Sequence, residues 1–155
     1  MNRPQIGTAA PHFSLPNQDG EIVNITDFIG KKHVVLYFYP KDETPGCTKE
    51  ACGFRDSYED FVAAGAEVIG VSADSIKSHQ QFASSRRLPF HLLSDPNSKA
   101  ADSYGVKKSL FGLLPGRETF LIDKDGIVRY HFASQLQIGP HISEALMLLR
   151  SWENG

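Results

Sequence analysis

Cysteine is scarce, with two in 155 residues. So few thiols exclude a disulfide-scaffolded secreted module. They also exclude a cysteine-only zinc site, which needs about four thiolates. No sign of charge dominates: 16 Lys and Arg stand against 18 Asp and Glu, a formal net charge of −2. That balance gives no electrostatic reason to expect nucleic acid or an anionic membrane as partner. Long apolar runs are missing as well. The longest, Val34–Tyr39, is far below the roughly 20 residues of a membrane span. No repeat, charge block or low-complexity linker divides the chain, and its length fits one domain, expected over residues 1–155. Met1–Pro11 lacks the apolar core of a secretory signal and is a poor transit peptide. The expected compartment is therefore a reducing cytosol, where cysteines stay thiols unless their chemistry is used.

What is present alternates between strand and helix signals. Phe13–Leu15 and Glu21–Ile25 flank Asn17-Gln18-Asp19-Gly20, whose Asp-Gly predicts a hairpin. A helical turn is expected at Thr26–Ile29, ending at Gly30. His33–Tyr39 is a continuous β-branched and aromatic run, as a strand buried on both faces would be. Glu67–Ser72 and His91–Ser94 are further strands, with helices expected at Ser75–Arg86 and Ser98–Tyr104. Glu118–Asp123 and Ile127–Phe132 enclose a second Asp-Gly turn. Pro140–Trp152 closes the chain as a helix with Ile142, Ala145, Leu146 and Leu149 on one stripe. This order predicts an α/β fold: a three-layer sandwich on a largely parallel sheet, with an N-terminal β-hairpin extension.

The segment Tyr39–Asp56 carries the chemistry. It begins where a buried strand ends, the usual place for ligands in open α/β sheets. Ala51, Phe54, Tyr58, Phe61 and Val62 then share a helical face. Thr44 suits the N-cap and Pro45 the first helical position, so Cys47 falls at N3. A thiol there faces unpaired backbone N–H groups and the positive end of the helix dipole, both of which favour the reactive thiolate. Cys52 follows five residues on. In an ideal helix this puts the two Cα atoms roughly 8.6 Å apart, beyond the roughly 7 Å that a disulfide allows. The pair can bridge only if the first turns unwind, and Gly53 weakens the helix beside it. Either cysteine can also be a small apolar filler. A metal is not expected: the iron–sulfur spacing that Cys-x4-Cys opens is not completed, and the six histidines show no ligand spacing. A Cys-x2-Cys reductase motif is absent too.

Pro40-x3-Thr44-x2-Cys47 resembles the active-site signature of peroxiredoxins, thiol peroxidases on a thioredoxin-like fold. Cys52 resembles the resolving cysteine of the bacterioferritin-comigratory-protein or peroxiredoxin Q subfamily. The likeness extends to Pro11–Pro16, Val68–Ser72, Leu93-Ser94-Asp95 and Arg117–Asp123. It implies that Cys47 is the peroxidatic nucleophile and Thr44 the hydroxyl that bonds thiolate and peroxide. Pro40 would shield the thiolate from water, Arg117 would stabilise it, and Glu50 would orient that arginine. Outside the resemblance, Arg117 reads as a solvated charge and Glu50 as an ordinary helix former. The implied cycle reduces hydrogen peroxide and organic hydroperoxides without cofactor through a Cys47–Cys52 disulfide. Thioredoxin or a related thiol carrier would recycle it, and a monomer is expected. Two other readings stay open: a redox-sensing binding protein that uses the same disulfide as a switch, and a purely structural domain. Phe111–Gly116, apolar and turn-prone, either lines the substrate entrance or packs on the core.

Overall fold

The computed structural model describes residues 3–109 and 114–153. Its chain begins with a hairpin, β1 (Ser14–Pro16) antiparallel to β2 (Ile22–Asn24). Asn17 closes the turn: its Oδ1 accepts from the N–H groups of Asp19 and Glu21. Gly20 takes φ +79° there, a left-handed conformation that glycine adopts without strain. The helical turn that follows is 3-10 and one residue early, at Ile25–Asp27. Of the apolar segment Phe111–Gly116, residues 111–113 lie outside the described residues.

The middle of the chain alternates as its pattern predicts. β3 (His33–Phe38) leads into α1 (Pro45–Asp56) and α2 (Tyr58–Ala63), then β4 (Ala66–Ser72), α3 (Ile76–Arg86), β5 (His91–Ser94) and α4 (Lys99–Ser103). A short antiparallel pair, β6 (Lys108–Ser109) and β7 (Leu114–Pro115), precedes β8 (Glu118–Ile122), β9 (Val128–Ala133) and α5 (Ile138–Glu153). The central sheet runs β5-β4-β3-β8-β9. β3, β4 and β5 are parallel, and β8 is antiparallel to both of its neighbours.

β3 shows why its sequence is apolar throughout. Val35 and Tyr37, with Tyr39 just beyond, face a core closed by Phe54, Phe61, Phe82 and Leu149 from α1, α2, α3 and α5. Val34, Leu36 and Phe38 face the opposite core, with Phe13 and Ile25 from the hairpin region and Tyr104 beside α4. The result is the expected three-layer sandwich, each face of the sheet covered.

The long helix after Cys47 departs from its expected course. It stops at Asp56 and restarts at Tyr58, because Ser57 sits at φ −103°, ψ 8°. Ala51, Phe54 and Phe61 remain fully buried, but Val62 turns outward to 46% exposure. The break rotates the second segment, so a single stripe cannot run through both.

Phe120 on β8 is fully buried and meets Phe38, Tyr104 and His131 ring to ring. Phe120→Ala should therefore lower unfolding free energy by about 3–5 kcal/mol, read as a fall in the urea midpoint with an unchanged slope.

Candidate active site

Two crossings of the fold bring the site together. α1 starts just past the C-terminal end of β3, and β8 runs back alongside β3 in the register Phe38↔Glu118. Arg117, one residue before β8, is thereby carried to the end of the sheet where α1 begins.

Thr44 has the extended backbone of an N-cap (φ −80°, ψ 151°), and its carbonyl accepts from Thr48 N–H at 2.8 Å. Its hydroxyl caps nothing: it donates to the Lys41 carbonyl at 2.7 Å. Pro45 is N1, Gly46 N2 and Cys47 N3, so the first-turn N–H groups beside the sulfur have no partner within the helix. Cys47 is 1% exposed and Cys52 partly buried, both as free thiols on one unbroken helix. Pro40, half-buried, follows β3 on the approach to this turn.

The structure brings Arg117 to Cys47. Each nitrogen of its guanidinium is engaged: Nη2 donates to Cys47 Sγ at 3.5 Å, Nη1 to Glu50 Oε1 at 2.7 Å and Nε to the Gln135 carbonyl at 3.3 Å. Arg117 is 5% exposed and Glu50 fully buried. Burial works against the arginine's charge, but Glu50 and Cys47 outweigh it and hold the group charged. For Glu50 the balance goes the other way. Burial pushes the carboxyl up to about 7, despite the attraction of Arg117. Only one of its oxygens is paired; Oε2 has no hydrogen-bond partner among the described residues.

Three features have no signal in the sequence that local pattern reading detects. Gly46 clears the way for the arginine: a Cβ there would lie 2.8 Å from Arg117 Nη2. His141 of α5, fully buried, lies behind Glu50, with Nδ1 3.7 Å from Oε2. Asp42 anchors the turn before α1. Its Oδ1 accepts from Tyr39 OH at 2.5 Å, and its Oδ2 from Ser78 Oγ at 2.8 Å, with His79 Nδ1 at 2.7 Å from Oδ2. Its own N–H donates to Asp74 Oδ2 at 2.8 Å. These three side chains, Asp42, Asp74 and His79, come close enough to bind a cation. Their hydrogen bonds with one another and with Tyr39, Ser72, Ser78 and the Leu93 carbonyl already account for the cluster. A cavity of about 670 Å³ opens elsewhere, by Leu15, Ile76 and Asn97, but it does not reach Cys47.

Chemically, the arrangement holds a dry sulfur between helix N–H dipoles and one fixed cation. Such donors stabilise a sulfur anion and also negative charge developing on an atom that bonds to it. Glu50 also has a stability consequence. Its folded value of about 7 lies above the ordinary 4.5. Its contribution to stability is therefore present at acid pH and is lost as pH rises through about 7. Glu50→Gln should flatten that decline. Urea unfolding at pH 5 and pH 8 should show the variant gaining on the parent, by up to about 3 kcal/mol, as pH rises.

Residues 6–131 match the family model AhpC/TSA. The chain is 54% identical over 145 residues to peroxiredoxin Q, chloroplastic, of Oryza sativa subsp. japonica, covering 94% of this chain and 66% of that protein. It thus spans just under two thirds of the length of that relative. Among solved structures, the peroxidoxin BcpB of Mycobacterium tuberculosis superposes at TM-score 0.88 with 38% identity, over 95% of this chain and 97% of that one. A bacterioferritin comigratory protein of Xanthomonas campestris, studied for alkyl peroxide reduction, superposes at 0.82 with 30% identity, over 90% and 91%. With the thioredoxin-like sandwich, the helix-start cysteine and its arginine in place, the chain belongs to the AhpC/TSA family, and its relatives include a peroxiredoxin Q and a bacterioferritin comigratory protein.

Proposed function

We propose that the protein is a thiol peroxidase of the atypical two-cysteine kind, acting on hydrogen peroxide and organic hydroperoxides. The observation that carries this reading is Cys47 Sγ, buried at the third position of α1 with Arg117 Nη2 3.5 Å away. Likeness to a protein named peroxiredoxin Q and to one studied for alkyl peroxide reduction supports it.

The Cys47 thiolate attacks one oxygen of the hydroperoxide. A sulfur–oxygen bond forms, the O–O bond breaks, and its electron pair leaves on the second oxygen, which takes a proton and departs as alcohol or water. Arg117 and the first-turn N–H groups stand where that negative charge develops. Thr44, whose hydroxyl rests on the Lys41 carbonyl, turns about its side-chain bond to donate to the peroxide, and Pro40 keeps water from the sulfur. The product is a sulfenic acid on Cys47. The Cys52 thiol then attacks that sulfur, a disulfide forms and water leaves. Since both cysteines lie on one intact helix, this step requires the first turns of α1 to open. A thiol carrier of the thioredoxin type restores the dithiol by exchange. An intrahelical pair needs no second subunit, which supports a monomer. A chain with two cysteines and no disulfide framework fits a reducing compartment such as the cytosol.

The test is thioredoxin-coupled peroxide consumption, with mass analysis of the peroxide-treated protein. Cys47→Ser should lose all turnover. Cys52→Ser should consume one equivalent of peroxide and then stall. Arg117→Gln should slow the peroxide step by about 100-fold, as loss of a fixed donor to developing charge does. Full turnover by Cys47→Ser, or no Cys47–Cys52 link in the treated wild type, would overturn this mechanism.

A further inference from the structure

His141 offers Glu50 no N–H. Its Nε2 lies 2.9 Å from the Ser134 carbonyl oxygen, which can only accept, so Nε2 carries a hydrogen. Burial pushes the imidazole down to about 4, which leaves the ring neutral at physiological pH. Nδ1 therefore bears a lone pair, and it takes the Thr119 hydroxyl hydrogen at 2.7 Å. Glu50 Oε2, 3.7 Å from the same nitrogen, meets electron density and no donor. The contact is not an ion pair, because the ring carries no charge to make one. The other groups facing Glu50 are Arg117 from the segment before β8, Cys47 on α1 and Tyr37 on β3. Among the described residues only Arg117 donates to it, and only to Oε1.

We propose that His141 is a positioning residue: by setting beside Glu50 Oε2 a ring nitrogen that has no hydrogen to donate, it favours the protonated carboxyl and so leaves the positive charge of Arg117 to Cys47. One guanidinium serves two acidic neighbours here, with no second cation within hydrogen-bond reach of either among the described residues. When Glu50 is ionised, its charge offsets that of Arg117 at the sulfur. When Glu50 is protonated, its Oε1 still accepts from Nη1, so the arginine keeps its position while its charge acts on Cys47 alone. The tautomer is fixed from outside the site by the Ser134 carbonyl, at the turn between β9 and α5. The inference deepens the peroxidase reading, and it rests on that reading only for its effect on the peroxide step.

Carbon-13 NMR of the side-chain carboxyls in the dithiol protein tests this directly, with the Glu50 resonance assigned by its loss in Glu50→Gln. The wild-type midpoint should lie near 7. His141→Gln supplies an amide N–H for Oε2 and should weaken proton binding about tenfold, lowering the midpoint by about one pH unit. Thr119→Val frees Nδ1 to accept the Glu50 proton and should raise the midpoint by about half a unit. The pH profile of the second-order peroxide rate constant should move in the same direction in each variant. A midpoint in His141→Gln within about 0.3 units of wild type, a lowered one in Thr119→Val, or an unmoved rate profile would overturn the proposal. If His141→Gln does not fold, Thr119→Val decides. The titration contains no peroxide, so absent turnover in the wild type would count against the peroxidase reading and not against this one.

Discussion

Burying a guanidinium beside a carboxyl is unfavourable unless nearly every polar atom finds a partner, since desolvation takes several kcal/mol per ion. Arg117 meets that condition with all three nitrogens engaged, on Cys47, Glu50 and the Gln135 carbonyl. Much of the surrounding structure follows from keeping it there. The antiparallel register of β8 on β3 sets where the arginine enters. Glycine at position 46 leaves the guanidinium its place, since a Cβ there would lie 2.8 Å from Nη2 and displace it. Burial of Glu50 within α1 supplies the acceptor that fixes the guanidinium's direction, and the turn after β9 supplies a carbonyl to the third nitrogen. The pair stabilises the fold less than it specifies one orientation of one cation at one sulfur.

This explains which parts of the protein are legible in the sequence. Features with local causes are readable: both Asp-Gly turns, the apolar strand β3 and the proline-led start of α1 follow from a few neighbouring residues. The position of Cys47 at N3 belongs to the same class. Thr44 is a partial case, since its backbone caps the helix while its hydroxyl is drawn to Lys41. Contacts between distant segments are another matter. Glu50 and Arg117 are 67 residues apart, Cys47 and Arg117 70 apart, and Asp42 and His79 37 apart. Nothing in composition or periodicity joins them, and only the resemblance singled out Arg117 and Glu50. It gave no indication of His141, Asp42 or Gly46. Val62 fails for an intermediate reason: its periodicity is sound, but one residue of non-helical backbone at Ser57 resets the phase.

The same contacts determine where α1 can open to let its cysteines meet. Upstream, Asp42 is tied to Tyr39 just past β3, to α3 and to the segment after β4 by four contacts. Between that anchor and the helix, Glu43 is held at φ +63°, a left-handed conformation that non-glycine residues keep only when the chain on both sides is fixed. Downstream, Phe54 stacks on Tyr37 with ring centroids 4.5 Å apart, and it is fully buried. Gly53 was expected to ease unwinding by its weak helix propensity. Its neighbourhood points to the opposite role. A Cβ at position 53 would lie 2.9 Å from Ile142 Cδ1, so the glycine is a point where α5 packs closely on α1. Helix propensity is worth about 1 kcal/mol at such a position, less than the apolar packing on either side of it. The stretch that has to open therefore lies between Glu43 and Gly53, and opening it takes Cys47, Glu50 and Ala51 out of full burial. Cys52 sits at its downstream edge, beside the packed Gly53 and Phe54, so in the proposed cycle Cys47 is the sulfur that has to travel.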